Sequence, residues 1–235
     1  MRKQGFYVQL HLHTSETSRC GRSPAAEMMR ACKAAGYDLV AVTDHFFNAN
    51  IGCDRALAWP DKVEYLLRGY RAAKAEGDRI GLKVIFGWET FTAGPELLTY
   101  GLGEEFLLDN PDIADVPYGA YVDRVNAAGG LLIHAHPYRQ APYIPDFTPD
   151  PDSVLAYEVY NHQNKSPEYN RRAYADAVKY GKLMVAGSDA HHVTEVGGGA
   201  MRFAEPVESV ADVLEALRRG DGQIFEVLPP AGSLI

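Results

Sequence analysis

The stretch Leu39-Val-Ala-Val-Thr-Asp-His45 joins an apolar run to two polar residues at its downstream end. An uninterrupted apolar run of this length is typical of a strand that is buried on both faces of a parallel sheet. Asp44 and His45 then stand at the carboxyl end of the strand, where parallel α/β folds place their ligand sites. The stretch therefore predicts an α/β fold with a polar site at the ends of its strands.

The same pattern of strand, polar end and helix recurs along the chain. Strands are predicted at residues 6–11, 39–43, 82–86, 97–100, 131–133, 156–160 and 183–186. Helices are predicted at Ala25–Ala35, at 62–76, through Tyr121 and Val125 up to Gly129, at Pro167–Tyr180 and at Val210–Arg218, with a glycine-rich loop at 197–199. About seven alternating units favour a closed or nearly closed parallel barrel, because an open sheet would concentrate its ligands at one switch point.

Composition limits the classes of protein to which the chain can belong. With 235 residues, 46% of them hydrophobic, the chain is long enough to bury one core, and we expect one domain over residues 1–235. The net charge of -8 opposes a surface for long nucleic acid, because phosphate-backbone affinity is built from clustered cations. A small anionic substrate needs only local positive charge and stays possible.

Cysteine usage and hydropathy bear on the compartment. Cys20, Cys32 and Cys53 have neither the spacing of a disulfide framework nor a CxxC motif, which is typical of reduced thiols. The start of the chain lacks the apolar region of a signal peptide, and no apolar stretch approaches the roughly 20 residues that span a bilayer. We therefore expect a soluble cytoplasmic protein that does not use a membrane.

All eight histidines lie in short clusters at the downstream ends of predicted strands. These histidines are His11, His13, His45, His134, His136, His162, His191 and His192. His11 and His13 are two residues apart, so on an extended backbone both imidazoles point to one side and can hold one cation. A hydrogen-bonded pair of barrel histidines is the alternative interpretation.

Carboxylates accompany the imidazoles at two of these strand ends, and a third carboxylate, Glu89, ends another strand. Asp189 precedes His191, and their combination suits the mixed nitrogen and oxygen coordination of zinc, manganese or iron. Glu89 follows an apolar strand and Gly87, and a carboxylate among several imidazoles can bridge two metals. His136 is favoured as a ligand with His134 as support, whereas Asp44 is expected to orient a ligand.

Taken in order, five motifs along the chain resemble the PHP family, named for polymerase and histidinol phosphatase. They are His11-Leu-His13-Thr14, Thr43-Asp44-His45, Gly87-Trp-Glu89, His136-Pro137 and Gly187-Ser-Asp189-Ala-His191. The resemblance runs from about residue 6 to residue 192. It implies a distorted seven-stranded, TIM-like β/α barrel and a phosphoesterase with two or three divalent metals at the carboxyl ends of the strands.

The resemblance also implies an assignment of the ligands to metals. His11, His13, Glu89 and Asp189 would hold one metal, Glu89 and His136 a second, and His45 and His191 a third. The family often has an acidic residue or a histidine after its first motif, where this chain reads Ser15-Glu16-Thr-Ser-Arg19-Cys20-Gly21. Glu16 is the predicted substitute, although Arg19 or Cys20 can equally occupy the place.

A second departure from the family pattern lies at the start of the fourth strand. The family often has a histidine there, whereas this chain has Pro95-Glu96-Leu97. Glu96 either replaces that histidine as an oxygen ligand or leaves the second metal one donor short. The number of metals, two or three, stays open at this point.

Four further polar residues are candidates for binding the substrate. Arg19 and Arg139 lie beside ligand segments and can hold phosphate oxygens in a bidentate fork, although both can equally be surface arginines. Asn161 and His162 end the sixth predicted strand, where a hydrogen-bond network at the barrel rim is the alternative. Specificity is expected in the loops 46–59 and 138–151.

These residues predict a metal-dependent hydrolase that cleaves a small phosphate mono- or diester by attack of a metal-activated hydroxide. Glu89, Asp189 and His191 are the predicted catalytic residues, and His191 or His45 would protonate the leaving alcohol. A nucleotide or a short oligonucleotide is also an open substrate. The rivals are an amidohydrolase-like C–N hydrolase, whose usual bridging lysine is missing from residues 97–102, and a noncatalytic metal-binding barrel.

Overall fold

The structure, a computed structural model, describes residues 5–92, 94–144 and 149–227. The strands in these ranges are β1 (Phe6–Gln9), β2 (Leu39–Val42), β3 (Lys83–Phe91), β4 (Glu96–Tyr100), β5 (Leu131–His134), β6 (Ala156–Asn161), β7 (Leu183–Gly187), β8 (Gly198–Phe203) and β9 (Gln223–Val227). The helices are α1 (Ala25–Ala35), α2 (Trp59–Ile80), α3 (Glu104–Asp109), α4 (Tyr118–Ala127), α5 (Pro167–Tyr180) and α6 (Val210–Arg218). Short 3-10 helices lie at Pro151–Ser153 and Val193–Glu195.

The nine strands form one sheet in the order β7-β6-β5-β4-β3-β2-β1-β8-β9. Strands β1 to β3 pair in parallel, as do β5 to β7, whereas β4 runs antiparallel to both of its neighbours. Beyond the strand ends, Leu12 forms a parallel bridge with Ala190, and the Asp189 N–H donates to the His11 carbonyl over 2.9 Å. These contacts bring the two ends of the β1 to β7 series together, so the sheet is a nearly closed barrel.

Two features of the predicted barrel are wrong: it has nine strands in the described ranges rather than seven, and it is not parallel throughout. The predicted loop 197–199 contains the start of β8, which pairs with β1. Gly199 has a φ of 62° and approaches the Gly187 carbonyl so closely that an added Cβ would lie 2.0 Å from that oxygen. Here glycine marks a close contact between backbones and not a loop.

The direction of β4 follows from the length of β3. The strand was predicted to end at residue 86, but it continues to Phe91, which leaves only residues 92–95 before β4. A parallel crossover needs a dozen residues or more, so this short connection forces a hairpin. As a consequence the first residue of β4, Glu96, lies at the same edge of the sheet as the carboxyl ends of the neighbouring strands.

Three helices begin and end at the predicted residues because their end signals are local. α1 begins after Pro24 and ends at Gly36, which has a φ of 104°. Helices α5 and α6 likewise match, and each is preceded by a serine whose side chain accepts a hydrogen bond from a backbone N–H of the first turn. α2 is longer than the predicted 62–76, and α3 was not predicted.

None of the helices in the described ranges is both long and apolar enough to span a bilayer.

Candidate metal centre

Each ligand candidate follows a strand that the barrel directs to one edge. His11 and His13 follow β1, His45 follows β2, Glu89 lies near the end of β3, His136 follows β5, and Asp189 and His191 follow β7. Except for His45 and His191, these side chains are at least nine-tenths buried. Because the carboxyl ends of these strands meet at one edge, residues far apart in sequence form one cluster.

The potential metal-binding atoms fall into three overlapping groups, in each of which they lie within 4.8 Å of one another. The groups are His11, His13 and Asp189; His11, Glu89 and His136; and His13, His45 and His191. The first group contains three of the four residues that the resemblance implied for one metal, without Glu89, and the second contains both residues implied for the second metal, together with His11. His13 instead connects the first group with the third.

The two carboxylate oxygens of Glu89 face different imidazoles. Oε1 lies 3.0 Å from His136 Nε2 and 3.4 Å from His11 Nε2. Oε2 lies 3.0 Å from His45 Nδ1 and 3.4 Å from His13 Nε2. Burial raises the pKa of Glu89, but the charge of His11 and the surrounding hydrogen bonds outweigh it and hold the pKa well below its usual range. The two oxygens of Glu89 thus have the geometry of a bridge between two cation sites.

β3 positions Glu89 by anchoring the residue before it. Neighbouring side chains of a strand point to opposite faces, so Trp88 packs outward into the core while Glu89 points into the barrel. The Trp88 indole N–H donates to the Tyr121 hydroxyl over 2.8 Å, and that hydroxyl also lies 2.9 Å from Thr90 Oγ1. These contacts on both sides of Glu89 hold β3 against α4.

Asp189 is held between two imidazoles and a guanidinium. Its Oδ1 lies 3.2 Å from His13 Nε2 and 3.5 Å from His11 Nε2, while its Oδ2 lies 2.7 Å from Arg139 Nη1. Burial raises the pKa of Asp189, but the charges of His11 and Arg139 outweigh it and hold the pKa well below the usual range. Arg139, predicted to bind substrate, therefore pairs with a ligand candidate.

Arg139 is fixed further by two asparagines. Its Nη2 donates to Asn161 Oδ1 over 2.6 Å, and its Nε donates to Asn164 Oδ1 over 2.9 Å. Asn161 is buried and also donates to Glu158 over 2.9 Å. Asn161 thus lies behind Arg139, in the rim network that was the alternative to substrate contact.

Glu158 is a part of the site that the sequence reading missed. It is buried on β6, where its Oε1 lies 3.0 Å from His11 Nδ1 and its Oε2 accepts from the His136 backbone N–H over 2.9 Å. A carboxylate on one ring nitrogen directs the other towards the metal, so Glu158 orients His11 Nε2 into the cluster. The available signal was a charged residue in the middle of the apolar strand 156–160.

Asp44 orients His13 indirectly, through the hydroxyl of Ser18. Its carboxylate accepts hydrogen bonds from the Ser18 hydroxyl over 2.6 Å and from the Thr14 hydroxyl over 2.7 Å. Ser18 Oγ in turn lies 3.2 Å from His13 Nδ1 and accepts from the His45 backbone N–H. Burial raises the pKa of Asp44 to about 6, although these hydrogen bonds oppose the rise. Its contacts agree with the predicted orienting role.

Backbone strain marks two of the ligand candidates. His136 has a φ of 29° and Asp189 a φ of 54°, and they are the non-glycine residues with positive φ among those that the structure describes. Such a conformation costs about 1–3 kcal/mol and persists only where the surroundings enforce it. Arg139, Glu158 and the barrel closure provide those restraints.

Glu96 and Glu16, the two substitutes for missing family ligands, differ in position. Glu96 is buried, its Oε2 lies 3.5 Å from His136 Nδ1, and that oxygen has no hydrogen-bond partner within the described residues. Burial and the charge of Glu89 raise the pKa of Glu96. Glu16 lies outside the three groups and accepts from the Ala25 backbone N–H at the start of α1 over 2.9 Å.

Cys20 lies beside the third group, whereas three other candidates lie away from the cluster. The Cys20 thiol lines the same cavity as His45 and His191. Burial raises the pKa of Cys20, but interaction with these two imidazoles outweighs burial and lowers the pKa to about 6. Arg19 is exposed. His162 packs against Gly198 and lies 3.4 Å from the Tyr160 hydroxyl, and His134 packs edge-on against Tyr157. Burial lowers the pKa of His134 to about 3.

The cluster opens into a cavity of about 600 Å³. Cys20, His45, Glu89, Glu96, His136, Arg139, Asp189 and His191 line its floor, and Asn48, Ala49, Asn50, Phe91 and Tyr143 line the rest. Part of this lining comes from the predicted specificity loops 46–59 and 138–151. Residues 145–148 of the second loop lie outside the described residues.

The donor set fits divalent metal ions. Glu89, Glu96, Glu158 and Asp189 are buried together, and Arg139 is the one arginine or lysine lining the cavity in the described ranges. Buried carboxylates need opposite charge close by, and imidazole with carboxylate is a donor set of zinc, manganese and iron. Glu96 Oε2 is buried without a hydrogen-bond partner among the described residues, and each oxygen of Glu89 faces a different imidazole. Both observations agree with the need for positive charge in this cluster.

A barrel-like α/β fold with such donors at the carboxyl edge of its strands is the architecture of a metal-dependent hydrolase class. This chain belongs to the PHP domain family: the family model matches residues 9–188, and the PHP-associated model matches residues 167–221. The membership confirms the resemblance that the five motifs indicated.

Individual relatives are distant. An uncharacterized protein of Methanocaldococcus jannaschii is 28% identical over 205 residues, which cover 84% of this chain and 70% of the relative. A two-domain Bacteroides vulgatus protein containing a predicted PHP-like metal-dependent phosphoesterase has a TM-score of 0.68 at 15% identity, over 94% of this chain. This chain spans only 65% of that protein. An amidohydrolase of Chromobacterium violaceum has a TM-score of 0.55 at 14% identity, over 93% of this chain and 97% of the other.

Proposed function

We propose that this chain is a metal-dependent phosphoesterase that hydrolyses a small phosphate mono- or diester. The observation that carries the proposal is Glu89, whose two oxygens each lie 3.0 Å from a different imidazole at the floor of the cavity. A carboxylate shared in this way suits a pair of cations that act on one substrate. Membership in the PHP domain family supports the same reaction class.

The roles of the residues follow from their positions. His11, His13 and Asp189 would hold one cation, and Glu89 and His136, with Glu96 beside them, would hold a second. Bound divalent cations supply a lowered pKa for a water nucleophile and offset the charge that grows on phosphoryl oxygens. The chain orients these ligands through Glu158, Asp44 and Arg139.

His45 and His191 face the open side of the cluster. Their side chains are 11% and 20% exposed, in contrast to the fully buried His11. His191 Nδ1 lies 2.8 Å from the Asp189 carbonyl, which holds the ring in place at the cavity mouth. An imidazole there that is free of metal can donate a proton to the leaving oxygen.

The cavity favours a small organic phosphate. Its volume of about 600 Å³ accommodates one small molecule, with the amides of Asn48 and Asn50 for hydrogen bonding and Phe91 and Tyr143 for apolar contact. A nucleotide or the end of a short oligonucleotide has suitable chemistry. A long nucleic acid does not suit a chain with a net charge of -8.

The test is a substrate panel on protein reconstituted separately with manganese, zinc and iron. The panel contains phosphomonoesters, phosphodiesters and nucleotides, with amide and cyclic C–N substrates as a second arm. We expect metal-dependent hydrolysis in the first arm alone. Hydrolysis confined to the second arm would establish the rival C–N hydrolase, and no turnover with any metal would favour a noncatalytic barrel.

A further inference from the structure

The cavity above the metal centre has little positive charge of its own. Among the described residues, Arg139 is the only arginine or lysine in its lining. Each nitrogen of that guanidinium already has a partner: Nη1 lies 2.7 Å from Asp189 Oδ2, Nη2 donates to Asn161, and Nε donates to Asn164. The charge of Arg139 is therefore balanced within the protein, and Arg139 is not a free clamp for a second anionic group.

The carboxylates of the cluster use most of the charge that metal ions bring. Four of them are buried in or beside the cluster, namely Glu89, Glu96, Glu158 and Asp189. Two divalent ions carry as many positive charges as these carboxylates carry negative ones when all are ionised, and Arg139 adds one positive charge. One phosphoryl group uses that remaining charge. A second anionic group on the substrate would be left without a partner of opposite charge.

The walls above the floor are uncharged. They are lined by Asn48, Ala49, Asn50, Phe91 and Tyr143. The segments that contribute these residues, 46–53, 90–95 and 140–148, contain neither lysine nor arginine in their sequence. Of the cations nearest to them in the chain, Arg55 lines a separate, smaller cavity, and the exposed Arg19 does not line this one. A bound substrate therefore meets positive charge at the metal centre and not along the walls.

Amides and aromatic rings give the walls their binding chemistry. Asn48 Oδ1 accepts from the Phe91 backbone N–H over 3.3 Å, which ties the loop after β2 to the end of β3 and leaves the amide N–H groups of Asn48 as donors. Tyr143 is 64% exposed although it lines the cavity, so its ring offers apolar area to a bound molecule. Aromatic faces with neutral donors suit a flat, uncharged ring better than a charged group.

We infer that the phosphoryl group is the only anionic group of the substrate, and that it esterifies an uncharged alcohol with an aromatic ring, such as an aryl or nucleoside alcohol. This inference rests on the proposed function and narrows it. Nucleotides with several phosphates, bisphosphates and oligonucleotides are excluded, because each brings a second anionic group to walls without a cation. Monoesters and diesters with one phosphoryl group both satisfy it.

The experiment compares esters that differ in one group, on the metal-loaded chain. Benzyl phosphate is compared with ethyl phosphate, which lacks the ring, and with para-carboxybenzyl phosphate, which adds a carboxylate. A parallel series uses uridine monophosphate, ribose phosphate and orotidine monophosphate, all esterified at the same ribose hydroxyl. In the faster series we expect kcat/KM to be highest for the uncharged aromatic ester and at least about tenfold lower for the carboxylated one, because like charges brought together repel.

Two variants test the walls directly. Asn50→Lys adds the missing cation and should raise kcat/KM for the carboxylated ester, relative to the uncharged one, by about two- to fivefold, the effect of one exposed ion pair. Asn126→Lys, at an exposed position of α4, is the matched control and should not change this ratio. Tyr143→Ala should raise KM for the aromatic ester at least about fivefold through lost stacking and leave KM for the ester without a ring unchanged. Tyr174→Ala, at an exposed tyrosine of α5, is its control.

The outcomes separate this inference from the proposed function. Equal or higher kcat/KM for the carboxylated ester, or for the ester without a ring, would overturn the inference while the phosphoesterase stands. If the carboxylated ester is preferred and Arg19→Ala abolishes that preference, Arg19 is an anion clamp and the inference is wrong. Failure to hydrolyse any phosphate ester with any metal would overturn the proposed function itself.

Discussion

At the scale of single residues, the site depends on carboxylates that each serve two partners. Glu89 divides its oxygens between His11 with His136 and His13 with His45. Asp189 divides its oxygens between the imidazoles and Arg139. Loss of the negative charge on such a carboxylate is expected to be costly. The groups on both of its oxygens would then lose their oppositely charged partner in a buried environment.

Glu89→Gln keeps the shape of the side chain and removes its charge. We expect turnover to fall at least about a hundredfold, because bridging cations contribute several kcal/mol of transition-state stabilisation. Activity, metal content and thermal melting are compared with the parent and with the exposed control Glu205→Gln. Near-normal turnover in a folded Glu89→Gln variant would show that Glu89 is not the bridge.

Arg139→Lys tests the guanidinium that supports Asp189. Lysine keeps the charge but replaces a planar fork, which contacts Asp189, Asn161 and Asn164 together, by a point charge. We expect metal affinity to fall about 10- to 100-fold, as for other partners of metal ligands. Metal titration is the measurement, with the exposed Arg171→Lys as control. A rise in KM alone, with metal affinity unchanged, would instead support the predicted contact between Arg139 and substrate.

At the scale of elements, the loop after β1 both carries ligands and starts a helix. Pro24 at the N-cap of α1 supplies no side-chain hydrogen bond, and the carboxylate of Glu16 accepts from the Ala25 N–H instead. An acidic group there also faces the positive end of the helix dipole. The loop that presents Cys20 is thus tied to α1 by Glu16.

Glu16→Ala distinguishes this capping role from metal ligation. Loss of the cap should reduce the free energy of unfolding by about 1 kcal/mol and lower the melting temperature by about 2–4 °C. Metal content should not change. Melting of the metal-free protein and elemental analysis of the loaded protein measure the two effects. A loss of bound metal without a change in melting of the metal-free form would make Glu16 a ligand.

At the scale of the whole molecule, the metal centre joins most of the barrel. Its ligands come from β1, β2, β3, β5 and β7 or from the residues that follow them, and Asp189 also closes the sheet through the His11 carbonyl. Ions that bind only the folded chain stabilise it by mass action, by about 2.7 kcal/mol at a hundredfold excess over Kd. Metal binding and global stability should therefore be coupled.

Removal of metal is expected to lower the melting temperature of the parent chain, and addition of zinc or manganese to restore it. At least two divalent ions per chain should be found by elemental analysis, because Glu89 and Asp189 belong to different donor groups. Glu89→Gln should show a smaller effect of chelator on melting. A melting curve unaffected by chelator, or a stoichiometry of one ion after reconstitution, would count against the dinuclear centre.

The amino-acid sequence by itself determined the family, the ligand candidates at the strand ends and the bounds of α1, α5 and α6. These features have short-range causes: an apolar run followed by polar residues, or a proline or serine before a helix and a glycine after it. His11 with His13, and Asp189 with His191, are each defined within three consecutive residues. Such patterns can be recognised without knowing the fold.

Tertiary structure alone decided which partners these residues meet. Arg139 pairs with Asp189, and Glu158 orients His11 from 147 residues away. The direction of β4, which brings Glu96 to the site, depended on how far β3 extends in the sheet. The physical reason is that strand pairing and barrel closure set these distances, and both arise from contacts between segments remote in sequence.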